Sequence, residues 1–412
     1  MNRRKRILFQ RGTLLMGSTL LVNAGNYLTN LLLGRWMGPE SFSEAGLLIT
    51  MMLMLSFIAT GFQLTTAKYA ALAAGGSRLK QVGPVYKWIS KIALLSGTGI
   101  ALLIFASSGF WRSFFNTTSS SLFIILGAGI PVYLVMSVNR GILQGKGRFK
   151  KLALTYQFEM WSRLILSAIA VKCGLGPPGV AAAITLSLVV ALVISRFKIP
   201  AIPAGVQAID KKGIFHFIVL ILIYECSQIL INNSDVVLVK HFFPPQDAGL
   251  YAALALVGRI VYFGTWTVVT ILFPMVIRLE KENKPHLTYF FAGLGIVVLM
   301  SAVAIALMAA IPNLIVHLLF GPAYYGLTPY LWYYALATSL FACANVFVYY
   351  NISLERRLPV WISICAGIAQ IILIWKYHSS FYEVISIQVW LMAVVLLIFI
   401  GVQWVYFKNS KR

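Results

Sequence analysis

Apolar blocks of about twenty residues recur along the whole chain, separated only by short breaks rich in charge, proline or glycine. A block of that length rises about 30 Å as an α-helix, the thickness of a bilayer's hydrocarbon core. So many blocks do not fit inside one water-facing globule: 59% of the 412 residues are hydrophobic and only 11% are charged, with a mean hydropathy of +0.83. Lipid offers no hydrogen bonds to bare backbone, so each block must satisfy its own, as a helix does. The strict alternation of barrel strands is absent. The pattern predicts an all-α polytopic membrane protein.

Reading apolar runs against their breaks predicts twelve spans, near residues 11–34, 43–67, 88–110, 120–143, 152–172, 178–197, 214–239, 248–275, 287–310, 325–351, 358–375 and 384–407. The first run is too long for a cleavable signal, carries three asparagines and lacks a small-residue cleavage site, so it is expected to remain as span one. Charge sets orientation, because Lys and Arg are retained on the cytoplasmic side. The N-terminus, the loops after even-numbered spans and the C-tail hold 27 Lys and Arg, against five in the odd-numbered loops (Arg35, Arg112, Lys172, Lys240, Lys376). Both termini are therefore expected in the cytoplasm, with the chain a multi-pass protein of the inner (plasma) membrane. The formal net charge of +23 then reflects topology and contact with anionic lipid, and nucleic acid is not expected as a partner. The turn in "LLLGRWMGPESFSEAGLL" falls on the outer side, where Glu40 and Glu44 are as admissible as bases.

That turn returns after span seven. Aligning "MGPESFSEAGLL" with "FPPQDAGLYAAL" sets Pro39 on Pro245 at an offset of 206 residues, and "LQGKGRFKKL" echoes in "SLERRLPVWI" at 209. Half the chain repeats the other half. Six spans per half is even, so both halves enter the membrane in the same sense, as two six-helix bundles related by a pseudo-two-fold axis along the membrane normal. The expected division is 1–197 for the first bundle, 198–213 for a basic cytoplasmic linker containing Pro200 and Pro203, and 214–412 for the second.

Several stretches carry a family resemblance: "LGRWMGPESFSEAGLL", "GFQLTTAKYAA", "RGILQGKGRF", "LFPMVIRL" and "FGPAYYGLTPYL". In this order and at this length the chain resembles the polysaccharide-export branch of the multidrug/oligosaccharidyl-lipid/polysaccharide (MOP) exporter superfamily, closest to Wzx-type O-antigen flippases. The resemblance implies a V-shaped cavity between two bundles and alternating access. It also implies passage of a polyprenyl-diphosphate-linked oligosaccharide from inner to outer leaflet for cell-surface polysaccharide biosynthesis, with glycan polymerase machinery as a further partner.

The residues themselves supply polar stripes within spans. Asn23, Asn26 and Asn30 lie at i, i+3 and i+7 in span one, on one face of a helix. In span seven Glu225, Gln228, Asn232 and Asp235 repeat the pattern, and Asn232 occupies the repeat position of Asn26. Such stripes line a water-filled cavity or act as hydrogen-bonding glue between helices. Charges inside spans need a partner or a purpose, and five stand out: Glu159, Arg163, Glu225, Asp235 and Arg259. Glu159 and Arg163 are spaced i, i+4 with the acid first, the favourable order for a helical pair. Depth along the helices, counted from Pro245, makes Asp235 the expected partner of Arg259 and leaves Glu225 alone. Glu225 is thus the leading ion-coupling candidate, with Asp235 and Glu159 behind it.

An anionic diphosphate in lipid calls for guanidinium or ammonium groups. The candidates are Arg35 and Lys68 at span ends, where snorkelling to the headgroups is the competing reading, and Arg163 and Arg259 within spans. Asn26, Asn30, Gln228 and Asn232 complete the expected substrate-binding set. Tyr262 and Trp266 follow Arg259 at i+3 and i+7, offering an aromatic surface or ordinary packing. Cys173, Cys226, Cys343 and Cys365 show no CxxC spacing, and no HExxH or GxxxxGK[ST] occurs, so no metal or other cofactor and no catalytic residue is expected. Two rivals remain: an ion-coupled multidrug exporter of the same superfamily, expected to have an apolar, acidic cavity, and a membrane polysaccharide polymerase or ligase, expected to have a large outer loop that this chain lacks.

Overall fold

The computed structural model describes residues 3–74, 82–196, 211–281, 285–354, 356 and 358–410, without the side chains of 3–16, 72–74, 82, 409 and 410 and some of those between 216 and 281. Residues 198–210 of the expected linker and the side chain of Trp266 lie outside the described residues. Every described element is a helix: α1 (Arg3–Ala74), α2 (Val82–Ala106), α3 (Ser108–Phe114), α4 (Ser121–Gly145), α5 (Phe149–Lys172), α6 (Gly176–Ser195), α7 (Lys211–Phe242), α8 (Pro245–Lys281), α9 (Leu287–Ala310), α10 (Pro312–Leu319), a 3-10 segment (Pro322–Tyr330), α11 (Leu331–Ser353), α12 (Leu358–Lys376) and α13 (Phe381–Ser410).

The helix α1 holds the first two spans. Its helical run is interrupted only at Gly38, whose φ of 74° and ψ of 168° turn the chain between two helical limbs. An L side chain is strained at that φ, and Pro39 follows as the pre-set first residue of the second limb. The Gly-Pro of the opening turn is thus a one-residue kink. Glu44 is buried there, and its carboxylate accepts hydrogen bonds from the Thr118 backbone N–H (2.5 Å) and hydroxyl (3.0 Å). The acid fastens the turn to the loop before α4, while Glu40 is exposed.

With α1 counted twice, the described residues form six long helices before α7 (α1, α2, α4, α5, α6) and six from α7 onward (α7, α8, α9, α11, α12, α13). Among the described residues eight helical stretches are long and apolar enough to cross a membrane, and the first, Gly17–Ala71, has length for two crossings. The helices α5, α7 and α8 are as long but carry the intramembrane charges. Each half also inserts a short helix after its third span, α3 in the first and α10 in the second, which repeats the two-fold pattern of the sequence. Span three, expected to run to 110, ends at Ala106 with α3 following; span ten, expected from 325, starts at Leu331 after the 3-10 segment.

The chain divides into two compact units, 1–225 and 226–412. The first keeps the N-terminal part of α7, because Ile214 and Ile218 pack with Ala59, Phe62, Val85, Ile89 and Leu134. Its central helix is α4, against which α1, α2 and α6 pack. Close approach explains the spacing Gly141-x-x-x-Gly145: a Cβ at either position would lie 2.4 Å from a backbone oxygen of α1, that of Gln63 or Ala67. Small residues let helices meet backbone to backbone where apolar burial gives little drive in lipid. In the second unit α11 takes the central place, packed by α8, α9 and α13, with a core of Phe290, Phe341, Phe347, Tyr350, Met392 and Phe399. In both units a polar tie joins the fourth span to the sixth, Asn139 to Ser195 (3.0 Å) and Asn351 to Gln403 (2.8 Å).

Candidate functional site

Two polar clusters lie inside the membrane-spanning helices, one in each unit. In the first, Glu159 of α5 bridges two guanidinium groups, Arg163 one turn along (2.5 Å) and Arg140 of α4 (2.6 Å). The expected i, i+4 pair is present, but Arg140 joins it unforeseen. Arg140 is only 3% exposed; it also donates to the Thr155 hydroxyl and carbonyl, both at 3.0 Å, and lies 4.0 Å over the Tyr156 ring. The Tyr156 hydroxyl meets Gln63, whose amide also reaches Gln144. The cluster holds two positive groups and one negative, a net +1 within the spans. Its surplus lies toward Arg163, the more exposed of the pair, which makes a long 3.4 Å contact with Ser187.

The second cluster is assembled from α7, α8, α11, α12 and α13. Asp235 is buried, and its Oδ2 accepts hydrogen bonds from the hydroxyls of Tyr334 (2.7 Å) and Tyr251 (3.0 Å). Gln388 in turn donates to the Tyr251 oxygen at 2.8 Å. Residues Tyr251–Val257 at the start of α8 are buried on every side, and Gly258 completes the fit: a Cβ there would stand 2.2 Å from the Tyr334 ring. Arg259 does not pair with Asp235, contrary to the expectation from depth. The two tyrosines occupy the carboxylate, and Arg259 instead donates to the Asn232 carbonyl at 2.8 Å. The Nε of Arg259 and the Oδ1 of Asp235 are buried without hydrogen-bond partners among the described residues.

Beside Arg259 is a cavity of about 20 Å³, enough for a water-sized molecule, lined by Asn232, Arg259, Tyr334, Thr338, Gln370 and Gln388 among others. Gln370 is held by the Ile231 carbonyl and Ser234 hydroxyl, both at 3.0 Å. A partly exposed guanidinium with an open donor, amides on two sides and no carboxylate contact among the described residues is chemically an anion-receiving corner.

The remaining expected residues scatter around these clusters. Asn232 lines the cavity, with its own amide on the Gln228 carbonyl. Gln228 is buried with neither amide atom hydrogen-bonded among the described residues. Glu225 is half-buried and makes no ion pair or hydrogen bond among the described residues. In α1, Asn23 is exposed, while Asn26 and Asn30 are half-buried and the Asn26 Oδ1 is unsatisfied. Arg35 and Lys68 are exposed, Lys68 with its ammonium 5.9 Å from the Tyr69 ring. Tyr262 stacks on Phe341 at 5.4 Å, so it serves as packing. The four cysteines are free, and the described residues hold no group of His, Cys, Asp and Glu suited to a metal.

Comparison with known proteins gives the family and the fold. A family described as polysaccharide biosynthesis protein matches residues 32–329. Among solved structures, the chain is similar to an inward-facing multidrug resistance MATE family transporter of the MOP superfamily (TM-score 0.72, 16% identity, 93% of this chain and 94% of that one). It is similar to an outward-facing one as well (0.68, 14%, 98% and 96%). A MOP superfamily transporter from Pyrococcus furiosus, reported for the reverse polarity of its binding pocket, matches at TM-score 0.60 with 15% identity over 95% of this chain and 94% of that one. No curated protein matches. The chain belongs to the polysaccharide biosynthesis protein family and has the twelve-helix, two-bundle fold of the MOP superfamily transporters.

Proposed function

We infer that the protein is a flippase that carries a polyprenyl-diphosphate-linked oligosaccharide from the inner to the outer leaflet by alternating access. The observation that carries this reading is Arg259: a guanidinium inside a span, beside a partly polar cavity, with an open donor and no carboxylate contact among the described residues. A cation kept in lipid without a paired carboxylate is costly unless an anion visits it. A diphosphate satisfies that need, and the net-positive Arg140–Glu159–Arg163 cluster offers a second station of the same sign in the other unit. Membership of a polysaccharide biosynthesis family fits a glycan on the diphosphate. In this reading Arg35 and Lys68 meet the substrate near the two interfaces, Asn26, Asn30, Gln228 and Asn232 contact sugar hydroxyls, and Glu225, Asp235 or Glu159 carries the coupling ion. The charge bias supports a cytoplasmic position of both termini in the cell that makes the glycan.

The test replaces Arg259 with Ala and with Lys in cells that depend on the protein for surface glycan. With membrane abundance unchanged, Arg259→Ala should accumulate polyprenyl-diphosphate oligosaccharide in the inner leaflet while surface glycan falls, and Lys should restore part of it. Normal lipid-linked sugar with reduced dye efflux would instead identify a drug exporter. Single repeat units that reach the outer leaflet and fail to lengthen would identify a polymerase.

A further inference from the structure

The two short helices have no part in the site, yet they display some of the most exposed apolar side chains in the protein. In α3 no residue is buried, and Phe110 is 59% exposed. The segment is held by the next residue on, Phe115, which is buried and stacks on Phe123 of α4 at 6.2 Å. In α10 the anchors are Val316 and, just beyond it, Phe320, which meets Tyr324 at 5.1 Å. With those in place Ile311, Leu314 (52%) and Leu318 (63%) turn outward. His317 on the rim hydrogen-bonds the Tyr325 hydroxyl at 2.9 Å, tying the helix to the 3-10 segment.

These faces continue the lipid-facing surfaces of the spans before them. On α9 the exposed residues Leu299, Val303 and Leu307 lead, at spacings of three or four, to Ile311, Leu314 and Leu318. On α2, Leu95, Leu102 and Leu103 lead to Phe110. The 25 residues of α2 and 24 of α9 already rise about 36–38 Å, the whole hydrocarbon thickness. The short helices therefore begin where the acyl chains end. The chain bends there, at Ser107 and at Ile311 (φ −132°, ψ 47°). Exposed polar groups accompany the apolar ones, Arg112 in α3 and Asn313 and His317 in α10, and the Trp111 indole N–H is satisfied by Ser107 at 2.8 Å. An apolar face with a polar rim and aromatic residues is the chemistry of an interfacial helix.

We propose that α3 and α10 are interfacial feet, each seated at the headgroup–acyl boundary of the leaflet where its preceding span ends and binding glycerophospholipid there. Six spans separate them, so both meet the same leaflet. The inference stands apart from the identity of the transported substrate.

The experiment uses the full chain with its four cysteines replaced by alanine and one cysteine introduced at Leu318, Leu314 or Phe110, with Asn313 as the polar-face control. Each is labelled with an environment-sensitive fluorophore in phosphatidylcholine nanodiscs, after a monodisperse elution profile confirms folding. At 318 and 110, lipid spin-labelled near the headgroup should quench at least twofold more than lipid labelled deep in the acyl chain, and aqueous iodide should quench less than at 313. Position 314 repeats the reading if the 318 variant elutes poorly. Iodide quenching at 318 equal to that at 313 would overturn the proposal in favour of a water-facing helix. Loss of lipid quenching on loading two copies per disc, with 318 crosslinking to 318, would overturn it in favour of a second copy of the chain.

Discussion

The polar clusters of the two units are built from the same types of residue and resolve their charges in opposite ways. In the first unit one carboxylate joins two guanidinium groups, so Glu159, Arg140 and Arg163 neutralise one another apart from a single residual positive charge. In the second unit the acid and the base do not pair: one oxygen of Asp235 is held by tyrosine hydroxyls and Arg259 by a backbone carbonyl. An ion pair holds helices in one arrangement and ties its charges to fixed partners. A guanidinium set against a carbonyl keeps its charge. The contrast assigns a mainly structural task to the first cluster and a mainly receptive one to Arg259.

The largest effect is expected from breaking the first cluster. Glu159→Ala strands the buried Arg140, and removal of one partner of a buried pair typically costs about 3–5 kcal/mol. Thermal unfolding in nanodiscs should show it as a steep fall, and adding Arg140→Met should recover most of the loss. A fall of less than about 1 kcal/mol would put the cluster's structural task in doubt. Next comes Tyr334→Phe, which removes the shorter of the two hydrogen bonds to Asp235 and should cost about 1.5–3 kcal/mol. Tyr251→Phe should cost less, because its bond to the carboxylate is longer; the reverse order would mean that Gln388 and Tyr251 carry the acid. Gly258→Ala forces the Tyr334 ring aside at a cost of about 1–3 kcal/mol of overpacking, read as a lower unfolding midpoint that Tyr334→Leu partly restores. The smallest effect belongs to Ser187→Ala, since its 3.4 Å contact with Arg163 is long for a hydrogen bond. Stability should stay within about 0.5 kcal/mol of the parent.

The fold was legible because hydropathy is a local property: each span follows from its own twenty residues, and the repeat of Pro39 in Pro245 announces two halves. The pairing of Glu159 with Arg163 was legible for the same reason, being one helical turn apart. Arg140 was hidden because it sits next to Gly141 at the edge of a basic loop, and a count of charges by position assigns it to that loop. Depth reasoning about the loop centre, Gly147, could have found it, since Arg140 lies seven residues before and Glu159 twelve after, a gap of about 7–8 Å along the axis that a long arginine spans. The same reasoning failed for Asp235 and Arg259. Axial depth says nothing about the direction in which a side chain points, and the tyrosines that claim Asp235 come from α8 and from α11, 16 and 99 residues away. The short helices escaped notice because their apolar residues continue the runs of spans three and nine without a change in composition.

The account rests most on the claim that the Arg259 charge is free for an anion. Binding of a short polyprenyl diphosphate to the purified protein in nanodiscs, compared with the matching polyprenol, tests it directly. The account predicts that Arg259→Ala weakens diphosphate binding about tenfold or more, as expected for loss of a charge-assisted contact of roughly 1.5–3 kcal/mol, that Lys recovers part of it, and that polyprenol binding is unchanged. Equal diphosphate affinity in folded parent and Arg259→Ala proteins would contradict it.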